Sequence, residues 1–257
     1  MSDWNHFNLA NTKTYVSANK KLQIGKYYYN YSGTAPSLKI KIKLEEEFTR
    51  PTLSFGLNGT ATINWGDDSN NTTLTGTNID TLVSSTHTYN YAGEFWITIS
   101  TNVSESIKIL GSTSNGNNIS VLLAQSSTAT SENRGFYQNC IKEVWVGIRC
   151  YLGVCAFAYC MALEKINLPF NSTYMTTIPE KAFYICTNLK AIVIPDSVTT
   201  IGANAFAQCC SLNKISLPYS ITSIGENAFY LVGNKSSLVF PSSLTTISTG
   251  LCQQAYN

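Results

Sequence analysis

The chain has 257 residues, of which 44% are hydrophobic and 12% are charged, and its formal net charge is +2. This length can bury a large core and supports two medium-sized domains. Charges of both signs are spread evenly, so the sequence has no basic patch of the kind that binds nucleic acid, and no run of about 18 apolar residues predicts a membrane span.

Residues 1–36 form the first segment, whose aromatic side chains are Trp4, Phe7, Tyr15, Tyr27, Tyr28, Tyr29 and Tyr31. A tyrosine joins an apolar ring to a polar hydroxyl, which suits it to interfaces. We interpret residues 1–36 as an aromatic-rich arm that packs on the domain after it. A carbohydrate-binding platform and a contact between domains are the alternatives.

The segment 38–44, LKIKIKL, alternates apolar residues with lysines. Such alternation predicts a half-buried β-strand with one charged face, here formed by Lys39, Lys41 and Lys43. Further strands are predicted at 52–57, 61–65 and 94–100.

Two phrases, ATINWGDDS (61–69) and HTYNYAGEFWITIS (87–100), resemble the PKD domain. That resemblance implies a seven-stranded β-sandwich of immunoglobulin type over residues 37–110. Trp65-Gly66-Asp67-Asp68 stands where the family has W-G-D-G, and Phe95 replaces the last tyrosine of its second motif.

The same residues have structural roles of their own. We expect Trp65 to fill the core and His87 to hydrogen-bond to a strand end. Asp67 and Asp68 are expected to cap a tight turn through side-chain to backbone bonds. A calcium site at these carboxylates is the alternative.

One phrase recurs through the C-terminal half, which follows a linker at 111–135 leading into a solenoid. Its anchoring phenylalanines, spaced 26, 23 and 23 residues apart, are Phe157, Phe183, Phe206 and Phe229, and each has a proline 12 residues later. Such a period predicts stacked coils that bury one continuous core. We predict a mainly β solenoid of about five coils over 136–257, with short strands and a helical or 3-10 turn at each Ala-Phe pair.

The phrase I-G-x-x-A-F-x-x-C-x-x-L-x-x-I-x-L-P resembles the BspA-type (treponemal-type) leucine-rich repeat. The resemblance implies a bacterial surface protein, because that family is largely made of such proteins, many of them implicated in adhesion. The fourth coil departs from the pattern at Val232 and Lys235, and three extra residues within 170–177 are expected to bulge from one face.

All eight cysteines lie between residues 140 and 252. Cys160, Cys186 and Cys209 each follow an anchoring phenylalanine by three residues, which predicts a buried ladder of thiols. Disulfides and a metal site are the alternatives, and Cys155 and Cys210 would be the pair best placed off the ladder.

No catalytic motif is present: the sequence lacks G-x-S-x-G, a phosphate-binding loop and H-E-x-x-H, and His6 and His87 are its two histidines. We therefore predict no enzyme, no cofactor and no metal.

The favoured hypothesis is a surface or secreted binding protein whose ligand is a host or cell-surface protein. Its binding residues are predicted on the exposed strand face of the repeats: Trp145, Glu164, Asn167, Lys190, Val193, Lys214 and Ser216. An exposed Trp145 would be a binding hot spot, although it is also placed to cap the end of the solenoid. The alternatives are a carbohydrate-binding module and a structural component of a phage tail or surface filament.

The first residues lack the basic and apolar segments of a signal peptide. We expect that an export leader has been removed or that export takes another route. Solenoids need a polar cap at each end, so we expect either that the native protein continues beyond the last coil or that it self-associates through that coil.

Overall fold

Short β-strands make up almost all regular structure in the part of the chain that the computed structural model describes: residues 37–47, 49–102, 104–112, 119–120, 122–125, 138–170, 172–233 and 238–248. The N-terminal strands are β1 (Leu38–Leu44), β2 (Pro51–Asn64), β3 (Thr72–Thr86), β4 (Gly93–Thr101), β5 (Ser106–Ile109), β6 (Gly111–Ser112), β7 (Ile119–Ser120) and β8 (Leu123–Gln125). The predicted arm, 1–36, lies outside the described residues.

A 3-10 helix, Gln138–Cys140, leads into the repeats. The strands that follow are β9 (Ile141–Val146), β10 (Cys150–Leu152), β11 (Lys165–Asn167), β12 (Thr177–Ile178), β13 (Ala191–Val193), β14 (Thr200–Ile201), β15 (Lys214–Ser216), β16 (Ser223–Ile224) and β17 (Thr246–Ile247).

Alternation in β1 confirms the predicted half-buried strand. Its buried side chains are Leu38, Ile40, Ile42 and Leu44, and the lysines between them point to the other face. β1 pairs antiparallel with β4, in which every second side chain, Phe95, Ile97 and Ile99, is likewise buried.

Strand β2 connects two groups of N-terminal strands. It pairs with β3 over most of its length, with β5 and β8 through its first half, and with β4 through its last four residues. The β2–β3 register shifts between Gly56 and Leu57, where a Cβ on Gly56 would lie 1.7 Å from the carbonyl oxygen of Ile79. Only glycine therefore fits where the two strands approach each other this closely.

The repeats form a parallel solenoid with two columns of strands. One column is β9–β11–β13–β15, and the other is β12–β14–β16–β17. The described residues complete about four turns, whereas about five coils were predicted. The predicted fifth coil contributes β17, and its residues 249–257, with the predicted self-association site, lie outside the described part.

The anchoring phenylalanines stack along the solenoid axis. Ring centroids of neighbouring coils are 5.5, 5.2 and 5.5 Å apart from Phe157 to Phe229, with interplanar angles of 9°, 8° and 2°. All four rings are fully buried, which confirms their predicted place in the core.

The predicted helical or 3-10 turn at each Ala-Phe pair is wrong. The residues two before and two after each anchoring phenylalanine have left-handed backbone, with φ between 53° and 62°: Cys155, Tyr159, Lys181, Ile185, Asn204, Gln208, Asn227 and Leu231. The Phe183 N–H consequently donates to the carbonyl oxygen of Ala205 in the next coil, at 2.8 Å, and not to its own turn. A left-handed residue on each side of the phenylalanine therefore interrupts the unbroken right-handed run that a helix requires.

The N-terminal strands cover both strands of the first coil. β1 pairs antiparallel with β9, and β5 pairs in parallel with β10. The Gly147 N–H donates to the Ser37 carbonyl oxygen at 2.8 Å, and the Gly153 N–H donates to the Ile109 carbonyl oxygen at 2.8 Å. The open end that a solenoid would otherwise expose is therefore sealed by β-pairing.

One sheet consequently runs through the described N-terminal and C-terminal parts, in the order β10–β5–β2–β4–β1–β9–β11–β13–β15. Their buried apolar side chains also form one core cluster, from Leu38 to Val232.

Candidate functional site

Strands β4–β1–β9–β11–β13–β15 form one sheet. We call the face of this sheet that points away from the core the outer face. Residues directly opposite each other on paired strands project to the same side of a sheet. Lys41 stands opposite both Trp96 of β4 and Glu143 of β9, and Lys39 stands opposite Trp145. The face therefore continues from the N-terminal strands onto the repeats without interruption.

All seven predicted binding residues lie along this stretch of the repeats. Trp145 is half-buried and opposite Asn167 of β11, while Val193 of β13 is 38% exposed and opposite Ser216 of β15. Lys214 is exposed opposite Ala191.

Glu164 and Lys190 come just before β11 and β13, and their side chains form an ion pair between neighbouring coils. Within this pair Lys190 Nζ donates a hydrogen bond to Glu164 Oε2, which keeps the pKa of the Glu164 carboxyl below its usual value. The structure thus brings the seven residues onto one surface; that they bind a ligand stays a prediction.

The Trp145 ring is held in place by its neighbours. Its Nε1–H donates to Glu143 Oε1 at 2.6 Å. Lys165 Nζ lies 5.1 Å from the ring centroid and 2.9 Å from the same Glu143 oxygen. A cation over an indole face is an attractive contact, so ring, ammonium and carboxylate fix one another.

A second Trp–Lys contact, which sequence reasoning missed, lies on the N-terminal strands. Lys39 Nζ is 4.5 Å from the centroid of the half-buried Trp96 ring, and Lys41 pairs with Glu94 at 2.6 Å. Burial lowers the pKa of the Lys39 ammonium, and the carboxylate of Glu143 opposes that shift. The sequence predicted strands at 38–44 and 94–100 from their alternating residues, but it did not predict that β1 pairs with β9.

Another cluster surrounds Trp65, which is buried as predicted, with 1% of its surface exposed. The His87 ring stacks on it with centroids 4.7 Å apart, and Tyr89 donates its hydroxyl hydrogen to the Trp65 carbonyl oxygen at 2.8 Å. His87 was expected to bond to a strand end; its Nε2 instead lies 2.7 Å from Asp67 Oδ2.

Asp67 caps the turn as predicted, since its Oδ1 accepts from the Ser69 backbone N–H at 3.3 Å. Asp68 occupies a left-handed position, with φ 61°, where the related motif has glycine. Burial alone raises the pKa of Asp67, but hydrogen bonds from Ser69 and His87 together hold it below its usual value. Within the described residues no three His, Cys, Asp or Glu side chains are grouped to hold a metal.

Comparison with known families finds a match for the repeats. Residues 150–257 match BspA-type leucine-rich repeats. The matching family is described as "BspA type Leucine rich repeat region", and its repeat is found in six copies. The match covers less than half of the chain. The predicted resemblance is therefore confirmed from residue 150 onward. No curated protein matches the chain.

Three solved structures are similar to part of the chain. A leucine rich cell surface protein from Faecalibacterium prausnitzii A2-165 is 37% identical over 35% of this chain and 23% of its own, with a TM-score of 0.33. The T. pallidum Leucine Rich Repeat protein is 31% identical over 39% of this chain and 41% of its own, with a TM-score of 0.30. A leucine-rich repeat protein from Bacteroides ovatus ATCC 8483 is 26% identical over 36% of this chain and 29% of its own, with a TM-score of 0.29. The match spans less than half of each of these proteins.

The repeats place most of their cysteines in structural positions. Cys186 Sγ and Cys209 Sγ each donate to the carbonyl oxygen of the anchoring phenylalanine one coil earlier, Phe157 and Phe183, at 3.1 Å. Burial raises the pKa of the Cys160 thiol to about 12. The buried ladder is thus confirmed; away from it, Cys155 is buried and Cys210 is exposed, both as free thiols.

The repeats also contain a serine ladder that sequence reasoning missed. In each coil a serine that closely follows the proline donates its hydroxyl hydrogen to a carbonyl oxygen of the preceding coil: Ser172 to Ile148, Ser197 to Met175, Ser220 to Val198 and Ser243 to Ile221, at 2.6 to 2.8 Å. The recurrence of serine two residues after Pro195, Pro218 and Pro241 could have revealed it.

Among the described residues, no helix is long and apolar enough to cross a membrane.

Proposed function

We propose that this chain is a non-enzymatic surface or secreted protein that binds a protein ligand on the outer face of its repeats. The observation that carries the proposal is the alignment of Trp145, Asn167, Val193, Lys214 and Ser216 on the strands of one sheet, with the Glu164–Lys190 ion pair just before two of these strands. A flat parallel sheet with a half-buried tryptophan and an exposed valine offers apolar anchors within a polar surround, the usual composition of a protein interface.

The repeat family supports this reading, because leucine-rich repeats commonly present an extended sheet to a partner. Adhesion to a host or cell-surface protein is the specific role we propose. A surface location is proposed with it, because the similar F. prausnitzii protein is a leucine rich cell surface protein.

A charge exchange between Glu164 and Lys190 tests the binding surface without removing their ion pair. The double variant Glu164→Lys/Lys190→Glu keeps opposite charges in contact but reverses the pattern that a ligand meets. We expect unchanged unfolding and at least tenfold weaker binding to a ligand found by screening purified matrix and cell-surface proteins.

A matched control is Thr222→Lys, which changes an exposed residue directly before β16, in the second column of strands. If the exchange and the control affect binding equally, the outer face does not carry it. Binding to a neutral glycan, with no protein ligand, would favour the carbohydrate-binding module instead.

For residues 37–110 we propose an immunoglobulin-like sandwich of the PKD type that holds the first coil and shares its sheet. The antiparallel strands and the packing of Trp65, His87 and Tyr89 support it. A crystal structure in which β1–β4 and β2–β5–β8 do not form two facing layers would contradict it.

A further inference from the structure

We propose that the ligand surface is centred on the junction between the N-terminal strands and the first coil, and that it takes an acidic polypeptide. Its core is formed by one residue from each of four neighbouring strands, Trp96, Lys39, Trp145 and Lys165, which we call the junction patch. The inference rests on the proposed function, whose surface it extends onto β1 and β4 and whose ligand chemistry it names.

The geometry of the junction patch repeats across four strands. Lys39 Nζ lies 4.5 Å from the Trp96 ring centroid, and Lys165 Nζ lies 5.1 Å from that of Trp145. Lys39 also stands directly opposite Trp145 in the β1–β9 register. Aromatic rings and ammonium groups therefore alternate from strand to strand across β4, β1, β9 and β11.

The spacing of the two tryptophans suits an extended peptide. Trp96 and Trp145 lie on either side of β1 and are offset by two residues along it. At about 4.8 Å between strands and about 3.4 Å per residue, their Cα atoms are roughly 12 Å apart. Side chains of an extended segment that share one face recur about every 7 Å, so residues four positions apart, about 13 Å, match both rings.

Charge selects the chemistry of that segment. The outer face and its borders carry seven lysines, Lys39, Lys41, Lys43, Lys142, Lys165, Lys190 and Lys214, against four glutamates, Glu45, Glu94, Glu143 and Glu164. These eleven side chains sum to +3. This surface thus has an excess of positive charge, which complements an acidic ligand.

The cation over each ring favours a carboxylate over a sugar. Stacking of a sugar requires a ring face, and an ammonium group already covers one face of both Trp96 and Trp145. A carboxylate instead pairs with the ammonium and leaves its ring contact intact. The ring edges then supply the apolar contact that makes tryptophan a frequent hot spot.

Fluorescence anisotropy of labelled poly-L-glutamate, titrated with the full chain at low and moderate salt, tests the proposal. We expect Lys39→Glu to weaken binding at least tenfold, Trp145→Leu and Trp96→Leu about five- to twentyfold, and Lys39→Arg less than threefold. Binding should also weaken as salt rises.

The matched control is Lys108→Glu on β5, which makes the same change of charge outside the outer face, beside Asp80 of β3. It should weaken binding less than threefold. Equal effects of Lys39→Glu and Lys108→Glu would show non-specific attraction and overturn the junction patch. Thermal unfolding of each variant verifies that the fold is retained.

Failure of this inference and failure of the proposed function give different results. If Lys214→Glu and Val193→Ala abolish binding while Lys39→Glu does not, the outer face binds but its centre lies on the later coils. If poly-L-glutamate does not bind and a neutral glycan such as cellohexaose does, the acidic ligand is refuted. If a protein ligand binds and no outer-face variant weakens it, the proposed function itself is refuted.

Discussion

Removal of one ring from the phenylalanine stack should destabilise the repeats strongly. Phe206 is fully buried, with the ring of Phe183 at 5.2 Å on one side and that of Phe229 at 5.5 Å on the other. Phe206→Ala removes roughly 150 Å² of buried apolar surface, worth about 4 kcal/mol at about 25 cal/mol per Å². That value lies within the range of about 3–5 kcal/mol measured for such truncations.

Equilibrium unfolding in urea, followed by circular dichroism, measures this cost. With an m value of about 3 kcal/mol per molar urea, a loss of 4 kcal/mol lowers the midpoint by about 1.3 M. Phe240→Ala is the matched control, because Phe240 is only partly buried and meets Phe229 edge-on at 6.5 Å. A loss at Phe206 below about 1.5 kcal/mol, or equal to that at Phe240, would refute the continuous stack as the main support of the coils.

Three further outcomes follow from local geometry. Gly147→Ala should cost about 1–3 kcal/mol in urea unfolding, because its Cβ would lie 2.4 Å from the Ser37 carbonyl oxygen between β1 and β9; unchanged stability would contradict the tight junction. Asp67 has a lowered pKa in the fold, so it adds stability above the usual carboxyl pKa that is lost as pH falls through the lower, folded value; Asp67→Asn should flatten this acid dependence, and an identical pH profile would argue against it. Cys210 should react with a maleimide in the native protein while Cys186 reacts only after denaturation, as mass spectrometry of digested protein would show; equal rates would contradict the buried ladder.

Sequence alone determined what depends on neighbours along the chain. Alternation in 38–44 gave a strand with one buried face, and the regular return of Phe157, Phe183 and Phe206 gave a solenoid with a stacked aromatic core. Both follow because the period of side-chain burial is written directly in the residue order. The candidate residues of the repeats were found in the same way, by their fixed distance from the inward isoleucines.

Tertiary structure decided the turns and the partners of single side chains. Lys181 and Ile185 adopt left-handed backbone although neither is glycine or asparagine, since inter-coil hydrogen bonds outweigh the local steric cost. His87 bonds to Asp67, although the two residues lie at opposite ends of the β2–β3 hairpin, so the contact depends on how the strands fold together and not on the hairpin turn. Neither result follows from residue preference.

The centre of the proposed binding surface also depended on long-range pairing. Lys39 and Trp145 are more than a hundred residues apart, and only the antiparallel register of β1 with β9 makes them neighbours. Strand pairing of this kind is set by which buried faces must be covered together, and many registers satisfy a single alternating pattern. The sequence therefore determined a solenoid with an exposed sheet face, whereas the fold decided that this face begins on the N-terminal strands, with Trp96 and Lys39 as part of it.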